Sequence, residues 1–438
     1  MTETYRWHWI GLTVLAAALA ATPSIVPLLR PTPISVTKSH PTTGLLTGDN
    51  ATPLVGTASC SARGCHGSID PAPAPERCQQ NEYATWSRDP HADAYRTLFS
   101  ERTRQMNRLL GSDMLPHDDP RCLACHSNPR LNAMPAESSF VQREKLFGVG
   151  CESCHGSANS WLVPHTAPDW RQKKHAFAMP DLTDPVVAAK TCAGCHVGSP
   201  ANSESTIPRD VNHDLIAAGH PRLAFEFGAY FANMPPHWRP RKHSDVQLWA
   251  VGQLVSAQSA LDVLAHRART GPWPELAEYD CFACHHSLAS QDRDRRRGKP
   301  GTLPWGTWYF ALARELGGDP QALDALEGQM HLPYPERGKV VELVKAARKG
   351  FNVGPFKDAA KAESLVRAHV VDRFKTGTLK LDPCWDSAEQ MYLALAASSP
   401  GPAHRALAEH RAFAPGFMGP GVLFRPSTFF YKLQKVAK

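Results

Sequence analysis

Gly150-Cys151-Glu152-Ser153-Cys154-His155-Gly156 governs how the rest of the chain is read, because its core pattern, Cys-x-x-Cys-His, occurs four times. The other copies are Cys122-Leu-Ala-Cys125-His126, Cys192-Ala-Gly-Cys195-His196 and Cys281-Phe-Ala-Cys284-His285. Residue frequencies alone would give roughly 0.02 matches in the whole chain, so four copies are not chance. The spacing fits covalent haem attachment. Two thiols add to the two vinyl groups of one porphyrin, and the adjacent His is brought under the iron as its proximal ligand. Zinc-binding or thioredoxin-like uses of Cys-x-x-Cys do not call for a His after every pair.

A fifth, looser site reads Cys60-Ser-Ala-Arg-Gly-Cys65-His66, with His66 where a proximal ligand belongs. Its alternative is a disulfide of Cys60 or Cys65, with Cys78 nearby. Five attachment pairs would use 10 of the 12 Cys and leave Cys78 and Cys384. Those two are read either as one disulfide or as two buried thiols. The expected cofactor is therefore haem c, five groups, held by Cys60, Cys65, Cys122, Cys125, Cys151, Cys154, Cys192, Cys195, Cys281 and Cys284. The proximal ligands are His66, His126, His155, His196 and His285.

The chain has 21 His, ample for distal ligands as well. Any one of them, taken alone, reads as an ordinary surface or core histidine. An iron with an open coordination position changes that reading, because imidazole fills it well. His91 follows Asp89-Pro90 at the start of a helical stretch, and His165 closes Trp161-Leu-Val-Pro-His165. His213 and His220 stand seven residues apart with Gly219 between them, so they are expected to serve different haems. His286, directly after a proximal His, must point to a neighbouring haem if it ligates. His117, His175, His237, His243, His266, Met179 and Met234 are weaker candidates.

Composition sets the frame. With 438 residues, 42% hydrophobic and 20% charged, the chain is globular in character and long enough for two or three domains. Its mean hydropathy of −0.35 excludes a multi-span membrane protein, and its composition excludes a wholly disordered one. Residues 1–29 include an apolar run, Ile10–Leu29, read as either a cleaved signal peptide or an N-terminal membrane anchor. Both place the body of the protein in the periplasm or on the outer face of the cytoplasmic membrane. Residues 30–55 read as a Pro/Thr-rich linker, 56–302 as the multihaem domain and 303–438 as a haem-free helical region. Helical periodicity in that last region covers Trp305–Leu316, Gln321–Gln329, Lys339–Arg348, Asp358–Phe374 and Ser387–Ala397.

The motif Gly150–Gly156, the segment Trp86 to His91-Ala-Asp-Ala-Tyr95 and the stretch Asn212-His213-Asp214 to His220-Pro221-Arg222-Leu223 resemble a known group. This is the family of multihaem c-type cytochromes related to the nitrifier tetrahaem cytochrome that accepts electrons from hydroxylamine oxidoreductase. The resemblance implies a mainly α fold with long loops around closely packed, mostly bis-His haems. The chain departs from it by the fifth site, the expanded first motif and the long C-terminal extension.

The expected function is electron transfer through the haems, with no catalytic residue assigned. The alternative is an oxidoreductase with one open haem acting on a small nitrogen or sulfur compound. The Cys-x-x-Cys-Lys variant of some nitrite reductases is absent from the sequence. Expected partners are redox proteins, either a quinol oxidase or reductase module or another cytochrome. The basic stretch 292–299 reads as a solvated loop or a docking patch for such a partner, not as a nucleic-acid site.

Overall fold

The structure, a computed structural model, describes residues 53–69, 80–235, 243–281, 284–285, 302–306, 308–382, 384–398 and 433–434. The apolar run at 10–29, Cys78, His237, His286 and the basic stretch 292–299 lie outside the described residues. The described residues are mainly helical. Their only extended pairings are two isolated bridges, Ser199 with Arg209 and Tyr279 with Trp305.

The principal helices in chain order are α1 (Glu82–Trp86), α2 (Glu101–Leu109), α3 (Pro120–His126), α4 (Ser139–Lys145), α5 (Cys151–His155) and α6 (Pro185–His196). They are followed by α7 (His213–Ala218), α8 (Phe227–Asn233), α9 (Asp245–Thr270), α10 (Pro320–Met330), α11 (Arg337–Gly350), α12 (Ala359–Val366) and α13 (Trp385–Ser398). Local sequence explains where several of them start. Asp119 and Asp184 each precede a Pro at the first helical position, and their carboxylates accept from the N–H groups of Arg121 (2.9 Å) and Val186 (2.8 Å). A cap of this kind contributes about 1 kcal/mol, and the fixed φ of Pro suits the first turn.

These starts matter because of what ends the helices. Cys122–His126 forms the last turn of α3 and Cys192–His196 the last turn of α6, while Cys151–His155 makes up all of α5. Within a helical turn, residues i and i+3 share a face. Both thiols of a motif are thereby presented on one side.

The main apolar core is built around α9. Trp249, Val251, Leu254, Leu261 and Leu264 are fully buried. The helix packs against α6, α8, α11, α12 and α13. It is long and apolar enough to span a bilayer, yet 78% of its apolar window is buried in protein, so it is a core helix. The cluster it organises runs from Val186 to Leu433, and the boundary expected at 302/303 falls inside it. Before Val186 the buried apolar clusters are small: Leu54, Leu131 and Val141 in one, Tyr95, Leu98 and Leu123 in another.

Four of the five helical stretches expected after residue 303 correspond to α10, α11, α12 and α13. The fourth is interrupted by a π turn at Arg367–Val371 before resuming as Asp372–Thr376. Trp305–Leu316 is the exception, since only Ala313–Leu316 is α-helical. Trp305 bridges to Tyr279 and the Gly306 N–H donates to the Glu278 carbonyl at 2.6 Å, so this backbone is committed to a neighbouring segment.

Gly252 lets α8 approach α9: a Cβ there would meet the Phe227 Cβ at 2.6 Å. Gly252→Ala should therefore lower the thermal midpoint of the full-length protein. Overpacking costs about 1–3 kcal/mol against a helix-propensity gain of about 1 kcal/mol. A raised midpoint would mean that the α8–α9 contact yields freely.

Candidate haem-binding sites

Three motifs share the helical presentation described above, and the other two use turns. In the Cys281–His285 motif, the fifth in chain order when Cys60–His66 is counted first, the N–H groups of Cys284 and His285 both donate to the Cys281 carbonyl, at 3.3 and 2.8 Å. In the Cys60–His66 segment, Cys65 and Gly67 both donate to the Ala62 carbonyl, at 2.9 and 3.0 Å. That turn folds the chain back and leaves His66 near Cys60.

Long-range packing then brings histidines from distant segments together in pairs. The ring centroids of His66 and His165 lie 6.1 Å apart with planes 15° apart. Those of His91 and His196 lie 5.9 Å apart at 85°, and those of His213 and His285 lie 6.4 Å apart at 27°. Face-to-face ring contact would need about 3.5–4.0 Å. Two imidazoles on opposite sides of one metal, each with its nitrogen about 2.0 Å from it, have centroids about 6.3 Å apart. All three pairs fall close to that figure. His220 lies near enough to His126 for the charge of one to disfavour the charge of the other.

The outer nitrogens strengthen the pattern. His66 Nδ1 is 3.0 Å from Glu82 Oε2, and His91 Nδ1 is 2.7 Å from Asp89 Oδ1. His126 Nδ1 reaches the Ala94 carbonyl at 2.9 Å and His220 Nδ1 the Pro221 carbonyl at 2.8 Å. His165 Nδ1 bonds the Leu162 carbonyl. Metal-bound histidines characteristically donate their second N–H to a carboxylate or carbonyl, which fixes the ring and leaves Nε2 to ligate. By contrast, His243 has both nitrogens bonded, to Gln247 Oε1 and the Thr183 carbonyl, which leaves neither nitrogen for a metal.

Protonation follows the surroundings. The bond to Glu82 raises the pKa of His66, and the bond to Asp89 raises that of His91. Burial lowers His126 and His220 and takes His196 down to about 4, so these rings are neutral and able to ligate at neutral pH. Burial also pushes Cys122 up to about 11 and Cys154 up to about 12, so both are protonated thiols until a haem is attached.

The histidine pairs bring together segments far apart in sequence, and specific contacts explain how. His213 opens α7, capped by Asn212, and its N–H donates to Glu275 Oε1 at 2.8 Å. Arg267 of α9 binds Asp210 at 2.5 Å and Glu278 at 2.7 Å. The strands of chain carrying His213 and Cys281 are thus tied to one buried guanidinium. Gly219 ends α7 with φ of 119°, a conformation that disfavours other residues, and turns His220 toward His126. His213 and His220 consequently face different motifs.

Of the expected distal histidines, His91, His165, His213 and His220 each lie beside a motif histidine, and His286 is outside the described residues. Residues that sequence reasoning missed include Glu82 and Asp89, which hold His66 and His91, and Arg209, whose Nη1 lies 3.7 Å from Cys195 Sγ. The spacing of Asp89 two residues before His91 was a signal available for one of them. Among the described residues no three His, Cys, Asp or Glu side chains are grouped to hold a metal ion. Histidines met in twos suit an iron whose other four positions are porphyrin nitrogens.

Residues 74–156, well under half of the chain, match the family model described as cytochrome c554 and c-prime. No curated protein and no solved structure matches the chain. The matched stretch contains His91, the motif Cys122–His126 and the motif Cys151–His155, and it supports a c-type cytochrome, a protein with covalently bound haem c.

Proposed function

We propose that this chain is an exported multihaem electron carrier that holds five haems, at least four of them between two histidines. The observation that carries this reading is the set of facing rings: His66 with His165, His91 with His196 and His213 with His285, at centroid separations of 6.1, 5.9 and 6.4 Å. His220, whose charge interacts with that of His126, is assigned as the fourth partner. When bound, each haem supplies a one-electron ferric/ferrous couple.

The chain's own part is to attach, orient and space these sites. Cys60 lies close to Cys151, and Cys125 close to Cys195, so attachment points of the first and third motifs, and of the second and fourth, are near neighbours. Cys154 also lies near Cys195, which links the third motif to the fourth. Helix α7 joins the second and fifth sites through His213 and His220. Such a row favours stepwise electron transfer from site to site. Glu82 and Asp89, by raising the basicity of their histidines, and the all-imidazole ligation both favour low potentials. Export is supported by the apolar run at 10–29, and the partners are proposed to be other redox proteins.

Intact-mass measurement of the full-length protein should find five covalent haem additions, and reductive titration should take up five electrons per chain. Fewer attached haems would remove the sites concerned, the Cys60–His66 site first. Separately, His91→Ala, His165→Ala, His213→Ala and His220→Ala should each turn one haem equivalent from low to high spin in the absorption spectrum, with all covalent haem retained. A spectrum left unchanged by any of these substitutions would exclude that residue as a ligand.

A further inference from the structure

Among the described residues, a charged contact ties the C-terminal region to the segment that follows His220. Arg222 makes a two-pronged pair with Asp386 at the start of α13: Nη1 to Oδ1 at 3.1 Å and Nη2 to Oδ2 at 2.8 Å. Asp386 is buried at 9% exposure and Arg222 is partly buried. The pair is 164 residues apart in sequence, so the tertiary fold alone creates it. Its surroundings hold it in place: the Tyr309 hydroxyl donates to the Leu223 carbonyl at 2.9 Å and Trp308 Nε1 to the Phe225 carbonyl at 3.2 Å. The Asp280 N–H donates to the Pro304 carbonyl at 2.9 Å and Tyr279 bridges to Trp305, which sets the backbone leading into Cys281 against the segment that carries Trp308 and Tyr309, and both charges act on Cys281, the first attachment residue of the Cys281–His285 motif.

A paired guanidinium and carboxylate add little net field, whereas either one alone in a partly buried place adds a full charge. A positive charge beside a haem favours its reduced state and a negative charge its oxidised state.

We propose that Asp386 is a positioning residue for the fifth haem site: it fixes the Arg222 guanidinium beside Cys281 and cancels its charge, so that helix α13 sets the reduction potential of that one site. The proposal rests on the reading that Cys281 and Cys284 carry a haem. It gives the C-terminal region a redox role although that region contains no attachment motif.

The test is spectropotentiometric titration of the full-length, haem-loaded protein, with haem occupancy of the Cys281–Cys284 peptide checked by mass. Asp386→Asn should favour reduction at one site by about tenfold, which is about 59 mV for a one-electron couple, and leave the other potentials in place. Arg222→Gln should shift the same site in the opposite direction, and the double variant should return it close to the wild-type value. Asp386→Glu, which keeps the charge, should restore the wild-type potential. If the peptide carries no haem, the underlying reading of the fifth site fails. If the haem is present and no potential moves, or if all move together, the proposal for Asp386 fails and the reading of the site stands.

Discussion

Facing imidazoles about 6 Å apart are the constraint on which the rest of this structure depends. At that separation the rings gain little from each other directly, since dispersion falls steeply beyond contact. Apposition of this kind, repeated between unrelated segments, has to be enforced by the surrounding chain. The enforcement is visible residue by residue. Asp-Pro caps place α3 and α6 so that their last turns present Cys-x-x-Cys-His, Gly219 swings His220 away from His213, and Arg267 draws Asp210 and Glu278 together. Carboxylates and carbonyls on Nδ1 then orient the rings.

The distribution of apolar burial divides the labour along the chain. From Val186 onward a single apolar cluster around α9 provides a conventional protein core. Before it, the buried apolar clusters contain three residues each, and buried polar groups take a larger share. Glu152 accepts the N–H groups of Gly56 (2.8 Å) and Ala158 (2.7 Å), and the two oxygens of Glu144 share the single N–H of Thr57 at 2.9 and 3.0 Å. Hydrogen bonds to charged acceptors are worth about 1.5–3 kcal/mol each. The first half of the chain thus supplies little apolar bulk from its own side chains, and under the proposed function attached porphyrins would add it there.

Much of the chemistry was legible in sequence because covalent attachment has a strict local grammar. In four of the five sites two thiols and a histidine fall within five consecutive residues, so those motifs announce themselves. Distal ligands obey no such rule. His91, His165, His213 and His220 stood out by their local settings, but nothing in the sequence tells that His213 meets His285, 72 residues further on. That pairing depends on Arg267 and Glu275, whose partners are set by packing. Helix α9 was obscured for a different reason. A helix buried on nearly all sides has no amphipathic stripe to reveal its period. Trp305–Leu316 misled in the opposite sense, since its apolar spacing suits a helix while its backbone bonds to Tyr279 and Glu278.

Electron paramagnetic resonance of the fully oxidised, haem-loaded protein tests the central claim most directly, because low-spin iron between two imidazoles reports the angle between their planes. The near-parallel pairs, His66 with His165 at 15° and His213 with His285 at 27°, predict rhombic low-spin signals. His91 with His196, at 85°, predicts a strongly anisotropic signal with one large g value. Both classes in one spectrum are the expected result. A single class of low-spin signal, or a high-spin signal amounting to two or more haems per chain, would contradict the ring pairs as the axial ligands.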